Sequence, residues 1–156
     1  VDLVGDFLKS MGVENFLVEI GGELSSYGKN HENKLWRVGI EKPIDSSYVG
    51  EFEFQKIIEL DNQSLATSGN YRKFKIINGK KISHSIDPKT GFPANNNLLS
   101  ITVVCQNAAM ADALATSFMV MGKEKTISFL EINSADSIFC FMVYDSANSL
   151  KEWSNF

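Results

Sequence analysis

The stretch NLLSITVVCQNAAMADALATSFMVMG, residues 97–122, predicts a strand that leads directly into a helix. Its first nine residues are mostly apolar or β-branched, as is typical of a strand. Asn107 is a favourable N-cap, and Gly122 is a favourable residue to end the helix. The helix is rich in alanine, yet it contains Asp112 and Thr116, which are four residues apart and therefore lie on one face.

The aspartate and threonine of this helix have two interpretations. Two oxygens on one helical face suit a hard cation such as Mg²⁺, which takes one or two protein oxygens and completes its shell with water and phosphates. Alternatively, Asp112 is favoured in the first turns of the helix by the dipole, and Thr116 bonds back to a carbonyl of its own helix. The spacing alone leaves both interpretations open.

The flanking sequence favours strands and turns. Asn78-Gly79 lies between two strand-like runs, and this dipeptide favours a two-residue hairpin turn. Residues 66–74 and 87–93 are expected to be loops, whereas 146–156 has no clear pattern. Apolar spacing predicts further elements, namely helices over 1–11 and 123–132 and strands over 15–20, 34–43, 52–60 and 137–144. Strands clustered as hairpins, with helices set apart, predict an α+β fold with a largely antiparallel sheet and packed helices.

The composition limits the class of protein. A length of 156 residues suits one domain, and 44% hydrophobic with 22% charged residues argues for a packed core rather than disorder. The net charge of −4 argues against a nucleic-acid-binding protein, which would usually have a basic face. Cys105 and Cys140 lie in apolar runs and are expected to be buried thiols, with a disulfide as the alternative.

Two further segments contain residues suited to ligand binding. Gly21-Gly22 follows a predicted strand, and paired glycines let the backbone approach a ligand and cradle a phosphate, although a plain tight turn has the same signature. The loop 66–74 combines hydroxyls, a glycine and Arg72, and is followed by several lysines. This local positive charge suits a phosphorylated ligand, but it also suits a solvated hairpin.

His84 stands at the end of the predicted hairpin, in ISHSIDPKTG. Histidine can act as an acid, a base or a phosphate donor near neutral pH. The alternative is a structural histidine that bonds to the turn after it.

The order of these motifs resembles the ApbE family of FAD-dependent protein FMN transferases. The residues that carry the resemblance are, in chain order, GGE (21–23), WRVGIEKP (36–43), ATSGNYRK (66–73), SHSIDPKTGFP (83–93), ITVV (101–104), MADALAT (110–116) and VMG (120–122). The resemblance covers nearly the whole chain, and several spaced motifs in the right order are far more specific than any one of them.

The resemblance implies phosphoryl transfer assisted by Mg²⁺. FAD would be split at its pyrophosphate, FMN would be joined to a threonine or serine hydroxyl of an acceptor flavoprotein, and AMP would leave. A FAD pyrophosphatase that gives FMN and AMP, or a flavin-binding module without catalysis, is the alternative.

The resemblance also implies roles for individual residues. Asp112 and Thr116 are expected to bind the metal, with Asp112 essential to catalysis. His84 is expected to position a phosphate or assist proton transfer. The residues expected to contact FAD are Gly21, Gly22, Glu23, Ser68, Gly69, His84 and Ile86.

Members of the family are longer than this chain, so residues 1–156 are expected to be a C-terminal part of a larger fold, with the N-terminal part absent. Family members are often exported bacterial lipoproteins. The resemblance therefore implies a place in the cell envelope, with any membrane attachment made by a lipid anchor outside this chain.

Overall fold

The computed structural model describes residues 1–43, 54–70, 74–77, 80–147 and 149–156. Within these ranges the α-helices are α1 (Asp2–Ser10), α2 (Ala108–Met121) and α3 (Lys123–Ile132), and a short 3-10 helix spans Ser134–Asp136. The strands are β1 (Phe16–Ile20), β2 (Glu23–Tyr27), β3 (Trp36–Glu41), β4 (Phe54–Leu60), β5 (Ser64–Gly69), β6 (Phe74–Ile77), β7 (Lys80–Ser83), β8 (Leu98–Cys105), β9 (Phe139–Ser146) and β10 (Ser149–Ser154).

The main sheet has six strands in the order β1-β2-β5-β8-β9-β10. Each neighbouring pair in it is antiparallel. The hairpins β3–β4 and β6–β7 form separate antiparallel pairs. The predicted α+β class with a largely antiparallel sheet is therefore confirmed.

The two faces of the main sheet are covered by different elements. On one face, Ala66 of β5 and Val103 of β8 pack against Ala111 and Phe118 of α2 and Leu130 of α3. On the other face, alternate residues of the same strands, including Leu65 and Val104, pack against Ile40 of β3 and Ile58 of β4. Because successive side chains of a strand point to opposite faces, β8 and the first half of β5 are buried on both sides.

The central helix forms as its sequence predicts. Asn107 is its N-cap, and the Asn107 side chain accepts a hydrogen bond of 2.8 Å from the amide of Met110. Gly122 ends the helix with φ of 80°, a conformation that favours glycine. Ala111 and Ala115 are fully buried, so their small side chains let α2 lie close to the sheet.

The prediction of a loop over 66–74 is wrong at its start. Residues up to Gly69 belong to β5, which pairs along its length with β8. The hydroxyl-rich sequence is accommodated because the Thr67 and Thr102 side chains hydrogen-bond across the two strands at 2.8 Å. Residues 71–73, including Arg72, and the turn at Asn78-Gly79 lie outside the described residues.

Two other strands were not anticipated. β2 follows the Gly21-Gly22 turn and pairs with β1, so this turn closes a hairpin. β10 pairs with β9 at the edge of the sheet and is mostly exposed. An exposed edge strand lacks the apolar pattern by which a strand is recognised in sequence.

Both cysteines are free and buried, as predicted. In the described part of the chain, no helix is long and apolar enough to cross a lipid bilayer.

Candidate functional site

A cleft of about 650 Å³ lies where β5 ends, between α2 on one face of the sheet and β3 on the other. This volume is in the range of small-molecule sites. The cleft brings together most of the predicted site residues, namely Gly21, Gly22, Glu23, Ser68, Gly69, His84, Asp112 and Thr116. These residues come from four separate segments of the chain, so the fold assembles the cleft from distant parts of the sequence.

The glycine turn between β1 and β2 forms one wall. The strands pair up to Ile20 and Glu23, which leaves Gly21 and Gly22 as the connecting residues. Their φ angles are 74° and 107°, and the second value is one that only glycine adopts without strain. An added Cβ on Gly22 would meet nothing within 4 Å, so the backbone there is open to the cleft.

α2 forms the opposite wall through its exposed face. Asp112 and Thr116 are both exposed and both line the cleft. Ala111 and Ala115, each one position away, are fully buried against the sheet. The helix therefore holds the carboxylate and the hydroxyl one turn apart on the side that faces the cleft.

β5 contacts this face of α2 through a hydroxyl pair. The Ser68 Oγ and Thr116 Oγ1 atoms are 3.0 Å apart, within hydrogen-bond distance, and either can be the donor. This contact links the end of the central strand to the metal-binding residue expected on the helix.

The donor set at this wall suits a hard cation. A carboxylate and a hydroxyl oxygen are ligands of the kind that Mg²⁺ takes, and Mg²⁺ usually keeps several waters or phosphate oxygens as its other ligands. Among the described residues, no group of three or more His, Cys, Asp or Glu side chains is placed to hold a metal. Two side-chain ligands of this kind leave the other ligand positions of such an ion to water or phosphate oxygens.

His84 and Ile86 are placed differently. His84 is exposed and lines the cleft, whereas Ile86 is half-exposed, pairs with Pro93 through the backbone and lies outside the lining. The turn after them is fixed by Asp87, whose side chain accepts a hydrogen bond of 2.8 Å from the amide of Lys89. The expected contact of Ile86 with FAD stays a prediction.

The described lining of the cleft is acidic. It contains four carboxylates and, among the described residues, neither lysine nor arginine; the carboxylates are Glu19, Glu23, Glu41 and Asp112. An anionic ligand such as a pyrophosphate would be repelled by this surface unless cations accompany it.

The wall formed by β3 was not identified as part of a site from sequence. Val38, Gly39 and Ile40 line the cleft. An added Cβ on Gly39 would lie 2.5 Å from the Phe54 ring, so glycine is required for this ring to lie over β3. The motif VGIE was visible as part of the resemblance, but a glycine inside a strand gave no indication of what it faces.

Comparison with protein families gives a match over most of the chain. The model of the ApbE family matches residues 1–141. A FAD:protein FMN transferase of Vibrio cholerae serotype O1 is 41% identical over 155 residues, which are 99% of this chain and 44% of that protein. A FAD:protein FMN transferase of Haemophilus influenzae is 42% identical over 134 residues, which are 86% of this chain and 38% of that protein. The chain thus spans less than half the length of these relatives.

Comparison with solved structures also gives matches over nearly the whole chain. The flavin transferase ApbE from Vibrio cholerae superposes with a TM-score of 0.80 at 41% identity, covering 99% of this chain and 46% of that one. The apo form of the Pseudomonas stutzeri flavinyl transferase ApbE has a TM-score of 0.81 at 36% identity and covers 99% of this chain and 45% of that one. The fold of residues 1–156 is therefore that of one part of these proteins.

Proposed function

Because this chain belongs to the ApbE family, we propose that it forms part of an enzyme that transfers FMN from FAD to a hydroxyl group of an acceptor protein. A threonine or serine oxygen of the acceptor attacks the phosphorus of the FMN half. The new P–O bond forms as the P–O bond to the AMP half breaks, AMP leaves with the bonding electrons, and the hydroxyl proton is released.

The observation that carries this proposal is that Asp112 and Thr116, on the exposed side of α2, line the same cleft as the glycine turn. A carboxylate alone in an acidic cleft would oppose a pyrophosphate. A carboxylate and a hydroxyl that share a divalent cation with that pyrophosphate would bind it.

Asp112 and Thr116 would hold Mg²⁺ in this enzyme. When bound, the ion neutralises charge that develops on the phosphoryl oxygens and on the leaving AMP. The part of the protein is to fix these two oxygens on a rigid helix, so that the reacting phosphorus is presented in one position.

The glycine turn and the end of β5 would bind the rest of the dinucleotide. Gly22 leaves room for backbone contact with the ligand, since an added Cβ there would meet nothing within 4 Å, and Gly21 and Gly69 line the same cleft. Glu23 lies on this rim too, where its carboxylate can accept hydrogen bonds from sugar or flavin groups.

His84 is the described histidine of the cleft, and we assign it the proton step. Its imidazole can accept the proton of the attacking hydroxyl near neutral pH. The exposed position of His84 suits this role, because the acceptor protein must reach the phosphorus from solvent.

The length of the relatives supports a further part of the proposal. We infer that residues 1–156 act within a longer protein whose other part completes the FAD site. From the family resemblance alone, we also propose that this protein works in the bacterial cell envelope on a flavoprotein subunit.

A transfer assay on the full-length protein tests the proposed function. Incubation with FAD, Mg²⁺ and a threonine-bearing acceptor should add the mass of one FMN to the acceptor and release AMP. Asp112→Asn should reduce the rate at least about 100-fold, because it weakens binding of the ion that stabilises the transferring group. Each factor of ten in the rate corresponds to roughly 1.4 kcal/mol of barrier.

Asp6→Asn is the matched control, since Asp6 is an exposed aspartate on α1 that lies outside the cleft. Its rate should equal that of the wild type. Absence of transfer by the wild type, or full activity of Asp112→Asn, would overturn the proposal. Release of free FMN and AMP without transfer would show that water, rather than a protein hydroxyl, is the acceptor.

A further inference from the structure

The contact between β5 and α2 gives Ser68 a role that differs from direct binding of FAD. We propose that Ser68 is a positioning residue, whose hydroxyl orients the Thr116 hydroxyl for the cation. This inference rests on the proposed function, and it concerns the 3.0 Å contact between Ser68 Oγ and Thr116 Oγ1.

The Ser68 side of the contact is fixed by the sheet. Ser68 pairs in register with Ile101 of β8, and Ile101 is fully buried. Immediately after β5, the Asn70 side chain donates a hydrogen bond of 2.9 Å to the Leu98 carbonyl, and the Asn70 amide donates one of 3.0 Å to the Leu99 carbonyl. The strand end is therefore held on both sides of the serine.

The Thr116 side is fixed by helix packing. Ala115 is fully buried against the sheet, and Phe118 in the following half-turn is fully buried too. With both backbones held by the core, the two residues stay close enough for one rotamer of each side chain to bring the hydroxyls to 3.0 Å.

The chemistry of a hydroxyl ligand determines which of the two hydroxyls donates the hydrogen bond. A neutral threonine that binds a cation uses an oxygen lone pair, so its proton must point away from the ion toward an acceptor. Ser68 Oγ lies 3.0 Å from Thr116 Oγ1 and can be that acceptor. Ser68 would then accept from Thr116, which is the arrangement in which an outer partner orients a metal ligand.

This role can be separated from direct binding of FAD. If Ser68 acts only on the dinucleotide, its loss should leave the affinity for a metal ion unchanged when FAD is absent. If Ser68 acts through Thr116, its loss should weaken metal binding with no nucleotide present.

The test is a titration of the full-length protein with Mn²⁺ alone, followed by the electron paramagnetic resonance signal of the free ion. Ser68→Ala should weaken Mn²⁺ binding about 10-fold, as is common when a partner of a metal ligand is removed. Ser68→Thr keeps the hydroxyl and should restore most of the affinity. Thr116→Val should weaken Mn²⁺ binding more than Ser68→Ala does.

Thr102→Val is the matched control. It removes the Thr67–Thr102 hydroxyl pair, which is of the same kind but lies between β5 and β8 and does not contact α2. Its Mn²⁺ affinity should equal that of the wild type. Thermal unfolding of each variant checks that the fold is kept.

The outcomes separate this inference from the function on which it rests. Unchanged Mn²⁺ affinity in Ser68→Ala, with loss in Thr116→Val, would overturn the positioning role and leave the metal site standing. Equal loss in Ser68→Ala and Thr102→Val would also overturn it, since the effect would then be one of stability. Failure of the wild type to bind Mn²⁺, or an unchanged affinity in Thr116→Val, would remove the proposed metal site and this inference with it.

Discussion

The Asp2 side chain of α1 caps the N-terminus of α2 by binding the backbone amide of Ala108, although the two residues are more than 100 positions apart in sequence. One oxygen of the Asp2 carboxylate accepts a hydrogen bond of 2.8 Å from this amide, and the other accepts one of 2.9 Å from the Ala109 amide. Together with Asn107, which caps Met110, Asp2 satisfies amides that the first turn of a helix leaves free. The helix that bears the candidate metal ligands is thus anchored at its start by α1.

Asp2→Ala should lower the free energy of unfolding by about 1–2 kcal/mol, because it removes a carboxylate that both accepts amide protons and interacts with the helix dipole. Asp2→Asn should lose less, since it keeps one acceptor oxygen. Urea denaturation measures both. Asp6→Ala, on the exposed side of the same helix, is the control and should change stability little. Equal stability of Asp2→Ala and wild type would contradict the role of Asp2.

The distance of α2 from the sheet depends on alanine. Ala115 is fully buried in the core between α2 and the sheet, so Ala115→Leu should force the helix away from β5 and cost about 1–3 kcal/mol of stability. It should also weaken Mn²⁺ binding, because Thr116 moves with the helix. Ala113→Leu makes the same change at an exposed position of α2 and should do neither. Similar losses in both variants would show that close packing at Ala115 is not what matters.

The glycine turn offers a test of backbone conformation without a steric clash. Gly22 has φ of 107° and open space around an added Cβ. Gly22→Ala should therefore cost roughly 1–2 kcal/mol of stability through strain alone, and it should weaken FAD binding as the turn changes shape.

Gly12→Ala is the matched control for this turn. Gly12 also has a positive φ, of 80°, with nothing within 4 Å of an added Cβ, but it lies outside the cleft. Gly12→Ala should lower the free energy of unfolding but leave the affinity for FAD unchanged. Flavin fluorescence of the full-length protein with Mg²⁺ measures this affinity. Unchanged FAD affinity in Gly22→Ala would remove the turn from the binding site.

The sequence predicted the helices well because their signals are local. Asn107 and Gly122 mark the two ends of α2, and the predicted helix over 123–132 matches α3 residue for residue. Residues 66–69 of β5 resemble a loop in sequence, because their threonine, serine and glycine are stabilised by pairing with β8, which lies some 30 residues further along the chain. A pairing partner so far along the chain cannot be recognised from the local sequence pattern.

The same contrast holds at the site. Helical spacing was enough to place Asp112 and Thr116 on one face, and both line the cleft. The contact of Thr116 with Ser68 and the wall formed by Val38 depend on how α2 and the β3–β4 hairpin pack on opposite faces of the sheet. Such packing follows from the whole fold, so residues of this kind are found only once the tertiary structure is known.

The buried thiol of Cys140 predicts how stability changes at alkaline pH. Cys140 is fully buried in the core between the sheet and the helices, and burial raises the pKa of its thiol from 9.0 to about 12. Between these values the unfolded chain loses the proton while the folded chain keeps it. The unfolded state is then favoured as the pH rises, so the free energy of unfolding should fall by about 1.4 kcal/mol for each pH unit from this thiol above pH 9. Below pH 9 the contribution is constant.

Urea denaturation under reducing conditions at several pH values between 8 and 11 measures this slope. Cys140→Ala should be less stable than the wild type at pH 8, because a buried side chain is shortened. The difference in the free energy of unfolding between the two proteins should narrow as the pH rises, since the variant lacks the thiol that titrates in the unfolded state. Comparison of the two proteins at each pH removes the contributions of tyrosine, lysine and Cys105, which both share. Parallel curves would show that Cys140 titrates alike in the folded and unfolded states, and would contradict its burial as a neutral thiol.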